Sequence, residues 1–426
     1  ITASALVIGG GSYTGGITVA GNIAPTNTNT LSLINDATGA NGISQSGSTS
    51  INVNSLNADA RYVSLAEAGN SISNVAGRNY AGTFDVRTSG AMTINTVDGT
   101  AGLIASTTGG ITVQAGGVIT INGNISATSA TATMTGGGIT LNSTRTINAG
   151  GVSLNAGGGV ISLGLGTISS TGAVQLANGA STTLGNIAAA AGGLSLTNIT
   201  GAVTQYVGTG VAAGLLSGSG NTGLITLTNS GNDFTSIGTL STTAGGLTVV
   251  DGSGNLNISG LVSAPNGIIN IRTPGSISQS QQVTSGAAGD SIVLSAGTNY
   301  FNTAGATGLL ATHGSGRWLV YLSAPSGNNF GGLNSANSAV WNSTYALNLP
   351  NTIAAGHRYV FALQPATTIT ANAQTRVYDG STNFAPVTHN VTGLIDASTY
   401  GNVFSQDILT GSLSVTAPGR NVGTYA

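Results

Sequence analysis

For roughly 300 residues the chain alternates aliphatic with small polar side chains, and pairs of glycine break the alternation every few positions. "GGITVQAGGVITINGNISA" (109–127) places Ile111, Val113, Val118, Ile119, Ile121 and Ile125 in short strands between glycine pairs. "GGLSLTNITGAV" (192–203), "GGLTVVDGSGNLNISGLV" (245–262) and "NGIINIRTPGSISQS" (266–280) read the same way. Period-2 alternation is the signature of a strand with one buried face. No stretch combines a 3.6-residue period with helix caps, so almost no helix is expected.

The pattern also repeats. "VSLAEAGNSISNVAG" (63–77) returns as "ITLTNSGNDFTSIGT" (225–239), an offset of 162, and "TFDVRTSGAMTI" (83–94) keeps rough step with "LTVVDGSGNLNI" (247–258). "ISQSGSTSINV" (43–53) is echoed by "ISQSQQVTSG" (277–286), and "SIVLSAGTNYF" (291–301) is a weaker third copy of the first module. Repeats of this kind, with insertions between them, fit stacked coils better than a closed sandwich. The expected fold is all-β: a right-handed parallel β-helix of about 20 residues per coil, successive coils lying about 4.8 Å apart. Ile139, Leu141, Ile147, Val152 and Leu154 should point inward and stack on their equivalents one coil away. Glycine supplies corners with φ > 0. Asparagines in "INGN", "INAGG" and "LNAGG" tolerate such corners and can form side-chain ladders from coil to coil. A passage such as "ITLNSTRTINAGGVSLNAGGGVISLGLGTISSTG" (139–172) has a composition prone to cross-β stacking. In a β-helix that tendency is satisfied inside one chain, leaving open edges only at the two ends.

The texture changes after about residue 310. Both tryptophans, Trp318 and Trp341, fall there, with Tyr321, Phe330, Tyr345, Tyr359 and Phe361. Large aromatics suit a lid over the last coil. The chain is expected to divide into β-helix repeats over 1–310, a C-terminal cap over 311–366, and an incomplete small β-sandwich over 367–426, with "QPATTITANAQTRVYDG" (364–380) leading into it. "ITASALVIGGG" has neither the charged start nor the cleavage site of a secretory signal, and "GRNVGTYA" still alternates at the end. The piece is therefore expected to come from something longer.

Composition narrows the function. Charged residues are 5% of the chain, all nine basic residues are arginine, and the formal charge is −2. That offers no electrostatic footprint for nucleic acid or an acidic membrane. Mean hydropathy is slightly positive, yet no apolar run reaches the ~18 residues of a membrane-spanning helix. Cysteine is absent, which removes disulfides and thiolate metal sites. A long chain without Lys or Cys has the composition of bacterial extracellular material.

"LTNSGNDF" (227–234), the block beginning "GRWLVYLSAP" (316–325), and "RVYDGST" (376–382) followed by "GRNVGTYA" (419–426) carry a family resemblance. Together they resemble the filamentous-haemagglutinin-like exoproteins of Gram-negative bacteria, and the tail is similar to the YDG-type domain of such proteins. The resemblance implies two-partner secretion through an outer-membrane transporter and display on the outer surface or release from it. It also implies adhesion or aggregation, through glycans or proteins of a host or a neighbouring cell.

Candidate chemistry is sparse. The acids Asp36, Asp59, Glu67, Asp85, Asp98, Asp233, Asp251, Asp290, Asp379, Asp396 and Asp407 are scattered. Coil stacking could pair Asp85 with Asp98, or Asp233 with Asp251. Solvated turn residues are the expectation for most of them. His313, His357 and His389 lack ligand-spaced partners. No nucleophile elbow, phosphate loop or calcium nonapeptide is present. Asp379-Gly380 reads first as a turn, and Tyr378 as core of the small domain. No catalytic, cofactor or metal residue is therefore assigned, and no cofactor is expected. The expected function is a non-enzymatic adhesin stalk. The alternatives are a β-helical polysaccharide lyase or hydrolase, which needs three or more acids in one cleft, and a stalk carrying a toxin domain outside these residues.

Overall fold

When a strand has one face on a core, only every second side chain is buried. The strand Ile119–Ile121 buries Ile119 and Ile121 and leaves Thr120 part-exposed between them; Ile139–Leu141 and Ile225–Leu227 repeat the pattern. A computed structural model of the chain describes residues 4–35, 40–106, 108–373, 375, 377, 383, 384, 387–411, 413, 415 and 416. It is a parallel β-solenoid of about 14 turns, half strand and 2% helix. At the strand spacing this makes a rod of roughly 65 Å.

Each turn supplies strands to three parallel ladders. One inward column runs Met92, Ile119, Ile139, Ile161, Thr182, Val203, Ile225, Leu247, Ile269, Ile292 and Trp318, each paired in register with the next. A second passes through Phe84, Ile111, Ala132, Val152, Val174 and Leu194. A third holds Ile125, Ile147, Ile168, Ile187 and Val211, at steps of 22, 21, 19 and 24 residues. The inward set expected from the sequence, Ile139, Leu141, Ile147, Val152 and Leu154, is buried throughout. Each such aliphatic, fully removed from water, contributes about 1.5–3 kcal/mol. Val118 departs from the expectation: it precedes the strand and is exposed, because two adjacent aliphatics cannot both face one core.

The expected asparagine ladder forms, but the asparagines of "INGN", "INAGG" and "LNAGG" do not take the left-handed corners: Asn148 lies within the strand Thr146–Asn155, and positive φ falls on asparagines outside those motifs. Asn178 donates to Asn155 at 3.1 Å and Asn198 donates to Asn178 at 3.3 Å, a ladder along one edge. Asn178 and Asn198 both adopt positive φ. At Gly102 φ is +71° and a Cβ would lie 2.0 Å from the Asn124 carbonyl oxygen, so no other residue fits that corner without moving the next coil.

One excursion leaves the spiral. Thr96–Val97 and Thr100–Ala101 form an antiparallel hairpin that contacts the strands Asn52–Ala60 and Ser71–Asn79. Asp98 at its tip has positive φ, and its carboxylate accepts the hydroxyl of buried Ser32 at 2.5 Å.

The parallel ladder continues past residue 310, through Gly316–Leu322 to Arg358–Phe361. Aromatic side chains replace the aliphatics there. The Tyr359 ring packs edge-on to Phe330 at 4.7 Å and to Trp318 at 5.2 Å, while Phe361 stacks on Trp341 at 5.0 Å. The tail adds to this cluster: Ala397, Val403 and Phe404 are buried, and the Trp341 indole donates to Asp407 at 2.6 Å. Further along the tail, Thr368–Ala371 pairs with His389–Thr392, and Asn383–Phe384 with Val415–Thr416, both antiparallel. Asp36, Tyr378, Asp379, Gly380 and the stretch 419–426 lie outside the described residues.

Candidate functional site

Three kinds of position carry chemistry: the buried amides of the corners, the charged groups near the capped end, and the polar ladders on the outer faces. The first explains the sequence repeats. Gln45 and Asn70 exchange hydrogen bonds at 2.7 and 2.9 Å, and Asn70 accepts the Ile51 amide at 2.8 Å. Gln205 and Asn232 repeat this at 2.6 and 3.0 Å, with Asn232 accepting the Val211 amide at 3.1 Å. Asn70 and Asn232 are the shared asparagines of the modules offset by 162. Asp251 fills a similar corner, accepting from the Phe234 amide at 2.9 Å and the Thr273 hydroxyl at 2.8 Å. Burial raises its pKa above the ordinary carboxylate value, and nearby Asp233 adds to the rise.

The other acids are dispersed. Asp85 stacks between Ser64 and Thr112 on an outer ladder, its pKa raised by burial. It is on a different ladder from Ser32, where Asp98 docks, so that candidate pair does not form. Asp233 accepts from the Ser253 hydroxyl at 2.9 Å, which leaves Asp233 and Asp251 as the one expected pair that coil stacking brings near each other. Glu67 accepts the Ser48 amide at 3.2 Å, and Asp396 caps the short turn Ala397–Tyr400 through the Ser398 amide. Among the described residues no group of three or more His, Cys, Asp or Glu is placed to hold a metal ion.

The charged groups at the capped end line an open cavity of about 600 Å³ that includes Asp290, Ser315, Arg317, Asn337 and His357. It has the residue types of a hydrolytic site, but their hydrogen bonds run to the scaffold. Arg317 Nε donates to Asp290 at 2.6 Å, Nη1 to the Ile353 carbonyl at 3.1 Å and to that of Ala354, and Nη2 to the Pro350 carbonyl at 2.7 Å. The guanidinium thus clamps the loop around Pro350–Thr352 onto the last coils. The His357 ring stacks on Trp318 at 5.0 Å and its Nδ1 accepts the Trp318 amide at 3.0 Å. Burial lowers its pKa, as an accepting nitrogen requires. His313 is bonded to Ser315, and His389 lies in an exposed tail strand. The histidines do not converge.

The outer faces are uncharged over most of their length. Thr120, Thr140, Ser162, Thr183 and Thr204 stand in one outward column, each in register with the next. Thr112, Thr133, Ser153, Gln175 and Ser195 form another. The Arg317 clasp, the glutamine–asparagine pairs and the covering hairpin were not anticipated from the sequence. The "ISQ" echo at 43–45 and 277–279 was the available signal for inward glutamines. Among the described residues no helix is long and apolar enough to cross a membrane. No family model, curated protein or solved structure matches the chain.

Proposed function

We propose that this chain is a segment of a non-enzymatic bacterial adhesin, a stiff stalk that holds uncharged polar faces outward for attachment or aggregation. The observation that carries the reading is the register of the outer ladders: Thr120 to Thr204 repeat one hydroxyl per coil on a rigid frame. Weak contacts repeated along such a face gain strength by multivalency. The use of Arg317 and His357 as structural clasps favours this over a lyase or hydrolase. So does the use of both Asp251 oxygens in corner hydrogen bonds. The resemblance to filamentous-haemagglutinin-like exoproteins adds display on, or release from, the surface of a Gram-negative bacterium through an outer-membrane transporter. Glycans or proteins of a host or neighbouring cell are the proposed partners.

The test uses the chain coupled to beads. Attachment to cell or matrix surfaces should exceed that of beads carrying an unrelated β-protein, with no new reducing ends or unsaturated products from a panel of polysaccharides. Depolymerisation of any of them would replace this reading with the enzymatic one.

A further inference from the structure

Four successive coils over residues 236–303 leave a shallow trough of about 390 Å³ on the outer surface. Its floor is one outward column in which Asn257 pairs with Ser278 and Ser278 with Phe301. One wall is Ser259, Ser280 and Thr303. Their hydroxyls donate to the carbonyls of Ile237, Ile258 and Gln279 on the preceding coil, at 3.3, 3.3 and 3.2 Å. With the proton directed into the scaffold, the Ser280 and Thr303 oxygens are left as acceptors, while Ser259 Oγ shares a hydrogen bond with the Ser236 hydroxyl at 2.6 Å. On the floor, Asn257 uses one N–H on the Thr235 carbonyl at 3.3 Å, leaving its amide oxygen and second N–H available. Ser278 forms no side-chain bond among the described residues. Phe301, 36% exposed, is an aromatic ring in a column whose neighbouring coils carry serine and asparagine.

We infer that this trough binds an uncharged oligosaccharide, with one pyranose ring on Phe301. The inference deepens the attachment reading and rests on it. A pyranose presents a face of weakly positive C–H groups, which suits the negative face of an aromatic ring. Its rim of hydroxyls can donate to the Ser280 and Thr303 oxygens and accept from Asn257 and Ser278. No charged residue lines the trough, so nothing compensates a carboxylate, sulfate or ammonium group on the ligand. A β-strand peptide would need a free backbone edge, whereas here the backbone is paired on both sides. The four rungs from Ser236 to Phe301 span about 14 Å, enough for two or three sugar units.

The test titrates the full chain with neutral gluco-, galacto-, manno- and N-acetylglucosamine oligosaccharides of two to four units, followed by calorimetry or NMR. At least one series should bind with a millimolar constant. Phe301→Ala should weaken it about tenfold or more, Phe301→Tyr should retain it, and uronic-acid analogues should bind worse. Circular dichroism checks that the variants remain folded. The inference is overturned if no neutral series binds, or if Phe301→Ala leaves binding unchanged. A parallel bead-attachment assay separates this from the broader reading. Attachment without saccharide binding removes the trough and leaves the stalk standing. Saccharide binding without attachment does the reverse.

Discussion

Asn232 shows how a polar side chain becomes part of a solenoid core. It is 1% exposed, and its amide serves the Val211 N–H, the Gln205 side chain and the Val250 carbonyl. Truncation strands these groups in a dry corner, and each unsatisfied group costs about 1–3 kcal/mol. Asn232→Ala should therefore lower the unfolding free energy by roughly 2–4 kcal/mol in a denaturant titration; a change below about 1 kcal/mol would remove the corner pair from the account of the repeats. Thr182 is the opposite case. It is 1% exposed in an otherwise mainly aliphatic column, and its hydroxyl has no hydrogen-bond partner among the described residues. Thr182→Val keeps the shape and removes the buried hydroxyl, so it should raise stability by about 1 kcal/mol. A melting temperature that falls would mean the hydroxyl has an ordered water.

At the scale of elements, the capped end is where the repeat gives way to specific contacts. A second apolar cluster of Val293, Leu319, Tyr321, Ile353 and Val360 sits on the outer face of the last coils. The loop above it is held by Arg317, by the Tyr321 hydroxyl on the Asn348 carbonyl, and by Arg272 over the Tyr345 ring at 4.5 Å. His357 makes this region sensitive to pH. Burial holds its folded pKa below the ordinary imidazole value of about 6.5, so folding favours the neutral ring. Its contribution is fully present above pH ~6.5 and is lost as pH falls through the folded value, when Nδ1 can no longer accept the Trp318 amide. Thermal stability and tryptophan emission should both change as pH is lowered from 8 to 5, and His357→Gln should flatten that change. Burial raises Asp85 and Asp251 in the opposite sense, stabilising at low pH and weakening as they ionise. The difference between wild type and His357→Gln isolates the imidazole. An identical pH profile in the two proteins would assign the sensitivity elsewhere.

For the whole molecule, cohesion is apolar and hydrogen-bonded rather than ionic. One apolar cluster runs from Ile17 to Phe404, and Asp290–Arg317 is the single ion pair among the described residues. With a formal charge of −2, screening has little to act on. The unfolding midpoint should be nearly the same at 50 mM and 500 mM sodium chloride; a large shift would point to an electrostatic network that these contacts do not contain. Stacked coils touch only their neighbours, so damage to one corner should be felt locally before it spreads.

The legible part of this protein is whatever alternation alone dictates. Ile139, Leu141, Ile147, Val152 and Leu154 had to turn one way, and a chain of such strands between glycine pairs had to stack on itself. That asparagines would ladder from coil to coil was legible, but of the ladder Asn155–Asn178–Asn198 only Asn155 stood in the motifs that suggested it. The sites were not legible. Coils whose length varies from 19 residues (Ile168 to Ile187) to 27 (Met92 to Ile119) do not reveal which side chains meet across them. Gln205 finds Asn232, and Arg317 finds Asp290, each across 27 positions; the hairpin at 96–101 folds back over coils that precede it. Local pattern fixes which face of a strand is apolar, because that depends on neighbours two residues away. Which polar groups share a corner, a clasp or a trough depends on the length of every intervening loop, and only the wound chain sets that.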